Sequence, residues 1–219
     1  MLDHGWARQL ARLYTPSRYL FHTLQMGSAY LCQIAPASTI SNCATYQTAD
    51  TLRWLTHTAY RTKELSKSFD DLGFGTGERH TWENDPAWQG FRELVEKGLC
   101  AYDWAEGFVA MNLVTRPAVE EATLRGLGGS ARHNGDTLLG LLTDAELVDA
   151  DRHRRWTSAL VKLALEHEAN KAVLDGWVAK WAPLGEAAID AYCAHLPDAP
   201  SAADKAKESA AAFRKGMGL

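Results

Sequence analysis

The sequence predicts an all-α fold, and three observations carry the prediction. Apolar residues recur at helical intervals through every long segment. No segment alternates for more than a few residues, and clusters of β-branched residues are absent. Prolines and glycine-rich stretches fall between the periodic segments as punctuation. Together they place helices near 3–14, 16–34, 36–66, 86–115, 117–126, 137–168, 170–195 and 201–215.

The boundaries follow in order. Thr15-Pro16 and Asp85-Pro86 each set a capping side chain before a proline at a first helical position. The segment 36–66 would run about 46 Å at the α-helical rise, and 86–115 nearly as far. Helices of that length need lateral support, which a bundle of roughly antiparallel neighbours supplies. The 36–66 helix is rich in Ala, Ser, Thr and Cys, as suits a central helix pressed on several sides. The glycine loop Leu72-Gly73-Phe74-Gly75-Thr76-Gly77 reads as a turn. From 86 to 116 one stripe carries Trp88, Phe91, Val95, Leu99, Tyr102, Val109 and Leu113. Gly126-Leu127-Gly128-Gly129 reads as a break, and Thr143-Asp144-Ala145-Glu146 has the spacing of a capping box. Trp156, Leu160, Leu163 and Ala164 form the stripe of one late helix; Val173, Trp177 and Trp181 form that of the next. The expected organisation is one domain over 1–196, then from 197 a linker and a peripheral C-terminal helix to 219.

Composition narrows the function classes. The chain has 219 residues, enough for one sizeable core without staples, and its 46% hydrophobic and 23% charged content is that of a globular protein. A net charge of -4 argues against a nucleic-acid binder. The longest apolar runs, such as 138–142, fall far short of the roughly 18 residues a membrane span needs. No secretory leader pattern opens the sequence, so a cytoplasmic protein is expected. Cys32, Cys43, Cys100 and Cys193 form no Cys-x-x-Cys pair, lie in apolar, helix-like contexts and read as reduced core cysteines. Eight tryptophans point to a large core or an interface.

A bundle of long helices raises the question of a carboxylate-bridged metal centre. Such a centre needs Glu-x-x-His pairs, whose i, i+3 spacing puts carboxylate and imidazole on one helical turn. No glutamate here is followed by histidine at that spacing; Glu78 meets His80 at i+2, and Glu166 and His167 are adjacent. Glu93, Glu96, Asp103 and Glu106 could line one helix as metal carboxylates do, but a solvated or ion-paired face is the simpler reading. Asp50 and Arg53 read as a buried or interface ion pair. His22, His57 and His153 read as satisfied interior or interface histidines. Arg152-His153-Arg154-Arg155, flanked by Glu146, Asp149 and Asp151, reads as a charged helix face or subunit contact. Neither a Gly-x-Gly-x-x-Gly or Walker loop nor a Gly-x-Ser-x-Gly elbow is present. The residues alone assign no catalytic, cofactor-binding or metal-binding side chain.

Several longer strings are specific. Tyr14-Thr15-Pro16-Ser17-Arg18-Tyr19-Leu20-Phe21-His22 opens a run that continues through Ala35-Pro36-Ala37-Ser38-Thr39-Ile40-Ser41-Asn42-Cys43. Leu52-Arg53-Trp54-Leu55-Thr56-His57-Thr58-Ala59-Tyr60-Arg61-Thr62, Asp85-Pro86-Ala87-Trp88-Gln89-Gly90-Phe91-Arg92-Glu93-Leu94 and Tyr102-Asp103-Trp104-Ala105-Glu106-Gly107-Phe108 follow. Together they closely resemble the hydroxylase β chains of the bacterial multicomponent monooxygenases for toluene, phenol and methane. The resemblance covers most of the chain and is densest over 14–116.

It implies a ferritin-like long-helix bundle without the diiron ligands, and a non-catalytic structural role. In that family the α subunit carries the Glu-x-x-His pairs, activates O₂ at a diiron centre and hydroxylates an aromatic ring with electrons from NADH. At the corresponding positions this chain has Thr51-Leu52-Arg53-Trp54 and Ala150-Asp151-Arg152-His153. The resemblance therefore implies no cofactor in this chain and diiron in a partner. Its partners would be hydroxylase α and γ subunits in an (αβγ)2 complex, served by effector protein, ferredoxin and reductase, without nucleic acid or membrane. Family β chains extend further at the N-terminus, so a shortened version is implied. Two other readings stay open: a stand-alone helical interaction or ligand-binding protein, and an independent metal-dependent oxidase using Glu106 and scattered carboxylates.

Overall fold

The computed structural model describes residues 2–197 and 199–219 and, among them, contains helices and turns but no strand. Asp198, within the expected linker, and Met1 lie outside the described residues. Helix α1 (His4–Gln9) is capped by Asp3, whose side chain accepts from the Trp6 amide, and runs on as a π-helical turn, Leu10–Tyr14. Helix α2 (Ser17–Ile34) and α3 (Ser38–Ser68) are joined by three residues and lie against each other along their length. Helix α4 (Glu78–Asn84) precedes α5 (Pro86–Gly98).

A single helix then runs from 104 to 133. It comprises α6 (Trp104–Phe108), a π segment at Val109–Thr115, α7 (Arg116–Val119), a second π segment at Glu120–Leu127, and α8 (Gly128–His133). Helices α9 (Thr137–Leu165), α10 (Ala169–Cys193) and α11 (Ala199–Lys215) complete the chain. Helices α2, α3, α9 and the 104–133 helix surround the centre, α5 packs on α10, and α11 lies over α7 and α10.

Several boundaries differ from the sequence reading, and α4 falls where no helix is expected. The expected 86–115 helix breaks at 99–103, because the Asp103 carboxylate accepts from the Ala105 and Glu106 amides and starts a new helix. Leu99 is consequently 42% exposed and Tyr102 79% exposed, so neither belongs to the buried stripe. The expected break at 126–129 is instead continuous helix. A Cβ on Gly128 would lie 2.4 Å from Thr143 Oγ1, so the missing side chain lets α9 come close. Thr143 sits inside α9 and bonds the Gly140 carbonyl; the actual cap is Asp136, which accepts from the Leu139 amide. Thr15 likewise caps nothing and donates back to the Ala11 carbonyl, whereas Asp85 caps α5 as expected, ahead of Pro86.

Pro117 lies inside the 104–133 helix rather than at a helix start. It has no N–H for the Leu113 carbonyl, and Arg214 Nη1 from α11 donates to that oxygen at 3.4 Å. Ala206, Ala210 and Arg214 of α11 are buried. Of the four cysteines expected in the core, Cys193 is buried, Cys32 and Cys43 are half-buried, and Cys100 is exposed just past the end of α5. Five of the eight tryptophans, Trp6, Trp54, Trp82, Trp88 and Trp181, are buried in the core; Trp104, Trp156 and Trp177 are half-buried against it.

Candidate functional site

At the middle of the bundle four helices aim polar side chains at one point. Helix α2 supplies Ser28; α3 supplies Gln47, Asp50, Thr51 and Trp54. The 104–133 helix supplies Asn112, Arg116 and Glu120, and α9 supplies Asp149, His153 and Thr157. All but Asp50, which is partly exposed, are buried. Burying this many polar groups is tolerable only if they satisfy one another.

Arg116 is the hub. Its Nη2 donates to Ser28 Oγ and Thr51 Oγ1, both at 2.8 Å, and its Nη1 lies 3.2 Å from His153 Nδ1. The hydroxyls can accept because each gives its own proton to a carbonyl one turn back, Ser28 to Leu24 and Thr51 to Gln47. Beside them Gln47 and Asn112 exchange amide hydrogen bonds, Asn112 Nδ2 donates to Thr157 Oγ1, and Trp156 Nε1 donates to Gln47 Oε1. Burial pulls the Arg116 pKa down to about 10, against the opposing charges of Glu120 and Asp50, which still leaves it cationic at neutral pH.

The histidine tautomer follows from its neighbours. A guanidinium only donates, so His153 Nδ1 accepts and Nε2 carries the hydrogen, donated to Asp50 Oδ2 at 2.9 Å. Burial, with the Arg116 charge adding to it and Asp50 opposing, brings His153 down to about 4, so the ring is neutral. Burial raises the Asp50 carboxyl, but hydrogen bonds from His153 and Arg152 outweigh this and hold it below the usual range. Asp149 accepts from Trp54 Nε1 at 2.9 Å and also takes Arg53 and Arg152. On the far side Arg154 pairs Glu120 at 2.6 Å and Glu121 at 2.8 Å. Burial still raises the Glu120 carboxyl.

The four positions that the resemblance matches to metal ligands, Thr51, Trp54, Ala150 and His153, are all buried around this centre, with the Trp54 and His153 rings 5.9 Å apart. The side chains present do not fit a diiron centre. A cation already stands there, and the only imidazole has one nitrogen bonded to it and the other to a carboxylate. Among the described residues no group of three or more His, Cys, Asp or Glu is placed to hold a metal ion.

The other candidates are scattered. Glu93 and Glu96 pair with Lys97 and Arg92 on the surface of α5, Asp103 is a cap, and Glu106 accepts from Lys180 Nζ at 2.6 Å and Trp181 Nε1 at 3.0 Å. Asp50 and Arg53 are 3.8 Å apart, each more closely bound to α9 than to the other. His22 is exposed on α2, and His57 faces the buried Glu146 at 3.6 Å. Of the basic cluster, Arg152 and Arg154 are ion-paired, His153 is interior and Arg155 is exposed. Sequence reasoning passed over Gln47, Asn112, Arg116 and Glu120. The signal was there: Asn112, Arg116 and Glu120 recur every four residues inside the apolar run 107–124.

The fold and its centre define a long-helix bundle filled by an arginine network, and the comparisons give its family. Residues 1–168 match the family model described as methane/phenol/alkene hydroxylase, and the chain belongs to that family. It is 57% identical over 196 residues to the β subunit of the toluene-4-monooxygenase hydroxylase component of Ectopseudomonas mendocina, covering 90% of this chain and 60% of that one. It is 28% identical over 200 residues to the phenol 2-monooxygenase oxygenase component of Pseudomonas sp. strain CF600, covering 89% of this chain and 56% of that relative. The chain thus spans about 60% or less of the length of these relatives. Its fold superposes with TM-score 0.86 on a chain of toluene 4-monooxygenase with toluene in the resting active site, at 57% identity over 88% of this chain and 64% of that one. The same score relates it to phenol hydroxylase from Pseudomonas sp. OX1, at 24% identity over 100% of this chain and 66% of that one.

Proposed function

We propose that this chain is the non-catalytic structural β subunit of an aromatic-hydrocarbon monooxygenase hydroxylase. The observation that carries the reading is the guanidinium of Arg116 at the centre of the bundle, where a metal-bearing relative of this fold would hold its ions. The 57% identity to a hydroxylase β subunit supports it. The diiron centre, O₂ and the aromatic substrate then belong to a larger α subunit, which this chain buttresses. A second bundle packed outside a catalytic one helps hold its ligands within the roughly 0.5 Å that the chemistry requires.

The docking face lies along α3 and the first half of α9. Tyr46 and Tyr60 are 68% and 70% exposed, and Leu52, Leu141 and Val148 are exposed with them among small residues such as Ala49 and Ala145. Large side chains between small ones are what helix packing against a second subunit uses. The reading includes a γ subunit, an (αβγ)2 assembly, electron supply through ferredoxin and reductase, an effector protein, and a cytoplasmic location. No helix among the described residues is long and apolar enough to cross a membrane.

Native mass spectrometry of the chain, expressed with its genomic neighbours, tests this. The expected complex contains a larger iron-bearing chain and a small third chain in equal copies, while this chain alone carries no stoichiometric iron. Two irons on the isolated chain would overturn the reading. Tyr46→Glu with Tyr60→Glu should abolish co-purification and leave the helical circular dichroism signal intact.

A further inference from the structure

A cleft of about 190 Å³ opens where α6 meets the end of α9 and the start of α10. Its residues come from three helices: Trp104, Ala105 and Phe108; Leu160, Val161 and Ala164; Val173, Leu174 and Trp177, with Asn170 at the turn. Phe108, Val161 and Leu174 are buried and form the floor, while Val173 is exposed at the rim. No charged side chain lines it. The Asn170 amide is committed elsewhere, donating to the Ala164 carbonyl at 2.8 Å. Two of the three tryptophans that the core leaves half-buried, Trp104 and Trp177, line this one cleft.

The walls are fixed from both ends. Glu106 ties α6 to α10 through Lys180 Nζ and Trp181 Nε1. Asn170 ties the α9–α10 turn to the end of α9. The floor is also braced, since the Phe108 and Trp156 rings meet at 5.4 Å. A preformed apolar cleft costs little ordering when it is filled.

Volume decides the class of occupant. Drug-sized ligands and organic cofactors need roughly 300 Å³ or more, whereas an apolar protein cavity of about 150 Å³ holds one benzene ring. The cleft lies just above the second value and well below the first. Indole and phenyl walls favour offset or edge-on contact with another ring. The larger groove between the 104–133 helix and α11 is lined by Glu121, Arg125, His133 and Lys205 and would not take an uncharged hydrocarbon.

We propose that the cleft between Trp104, Leu160 and Trp177 is a binding site for one small uncharged aromatic molecule, a single ring with at most a short alkyl group. It is separate from the Arg116 centre, with which it shares no residue.

The test is titration of the full chain with toluene, read by tryptophan fluorescence and by methyl chemical shifts of Val161 and Leu174. A saturable change confined to those methyls is expected, with Ala164→Phe weakening binding at least tenfold at unchanged melting temperature. If that variant misfolds, Ala105→Leu from the opposite wall serves in its place. A response linear in toluene, shifts centred elsewhere, or undiminished binding in a folded cleft-filling variant would overturn the assignment. The titration is repeated on the chain in its co-purified complex. Binding there supports the site; its loss would show that a partner's side chain fills the cleft and would also overturn the proposal.

Discussion

Arg116 Nη1 lies 3.2 Å from His153 Nδ1, joining a fully buried cation to a histidine that stays neutral. Removing the cation strands several partners at once. Arg116→Ala leaves Thr51 Oγ1 and His153 Nδ1 without their donor, Ser28 Oγ with Gln47 Nε2 alone at 3.1 Å, and Glu120 and Asp50 short of a nearby charge. Loss of one member of such a buried set costs about 3–5 kcal/mol. Denaturant unfolding should show a loss of unfolding free energy of that size, seen as a lowered midpoint at unchanged m. Arg116→Lys should fall in between, because an ammonium keeps the charge but not the planar fork that reaches three partners.

Burial brings His153 down to about 4 in the folded chain, against 6.5 for the solvated ring of the unfolded chain. The unfolded chain therefore binds the extra proton first as pH falls. The histidine's contribution to stability is fully present above about 6.5 and is lost on acidification through that window to about 4. The slope reaches at most about 1.4 kcal/mol per pH unit. Its ring signals in an NMR titration should not move above pH 5. In His153→Gln this slope disappears, so the stability gap between wild type and variant narrows as pH drops. A ring midpoint near 6.5 would contradict the assignment.

Glu146 shows the opposite sign. Burial raises its carboxyl, and His57 opposite opposes the rise only in part. A carboxylic acid with a raised folded pKa contributes its stability below the unfolded value near 4.5 and loses it as pH climbs through the folded value. Glu146→Gln keeps the shape without the charge. It should therefore gain stability relative to wild type at pH 8 and show no such gain at pH 4, measured by thermal unfolding at both.

At Gly90 helix α5 lies directly against the backbone of α10. A Cβ there would fall 2.7 Å from the Ala188 Cα, which is backbone and cannot swing aside. Gly90→Ala should destabilise by roughly 1–3 kcal/mol, despite alanine's better helix propensity. Gly98→Ala, with nothing within 4 Å of its Cβ, is the matched control and should be neutral or mildly stabilising.

The helical class and the long α3 were legible because their cues are local: apolar period, proline and chain rise. The start of α5 at Asp85-Pro86 was legible for the same reason. The break before Asp103 was hidden because Leu99 and Tyr102 keep the period of the stripe while pointing to solvent. Gly128 misled in the other direction, since a glycine chosen for close approach to Thr143 looks like a glycine chosen for a turn. At the centre, the missing Glu-x-x-His pairs could be read directly. The filling could not, because Ser28, Thr51, Arg116 and His153 become neighbours only after four helices assemble.

A centre held by Arg116 is completed by folding alone, since every group in it is a side chain of this chain. A bundle built around iron carries a cluster of like-charged carboxylates at its centre, and an ion must come from solution to balance them. Here the cation that joins α2, α3, α9 and the 104–133 helix is covalently part of the chain. The balance of charge at the centre of this bundle is therefore written into the sequence, and no ion from solution has to supply it.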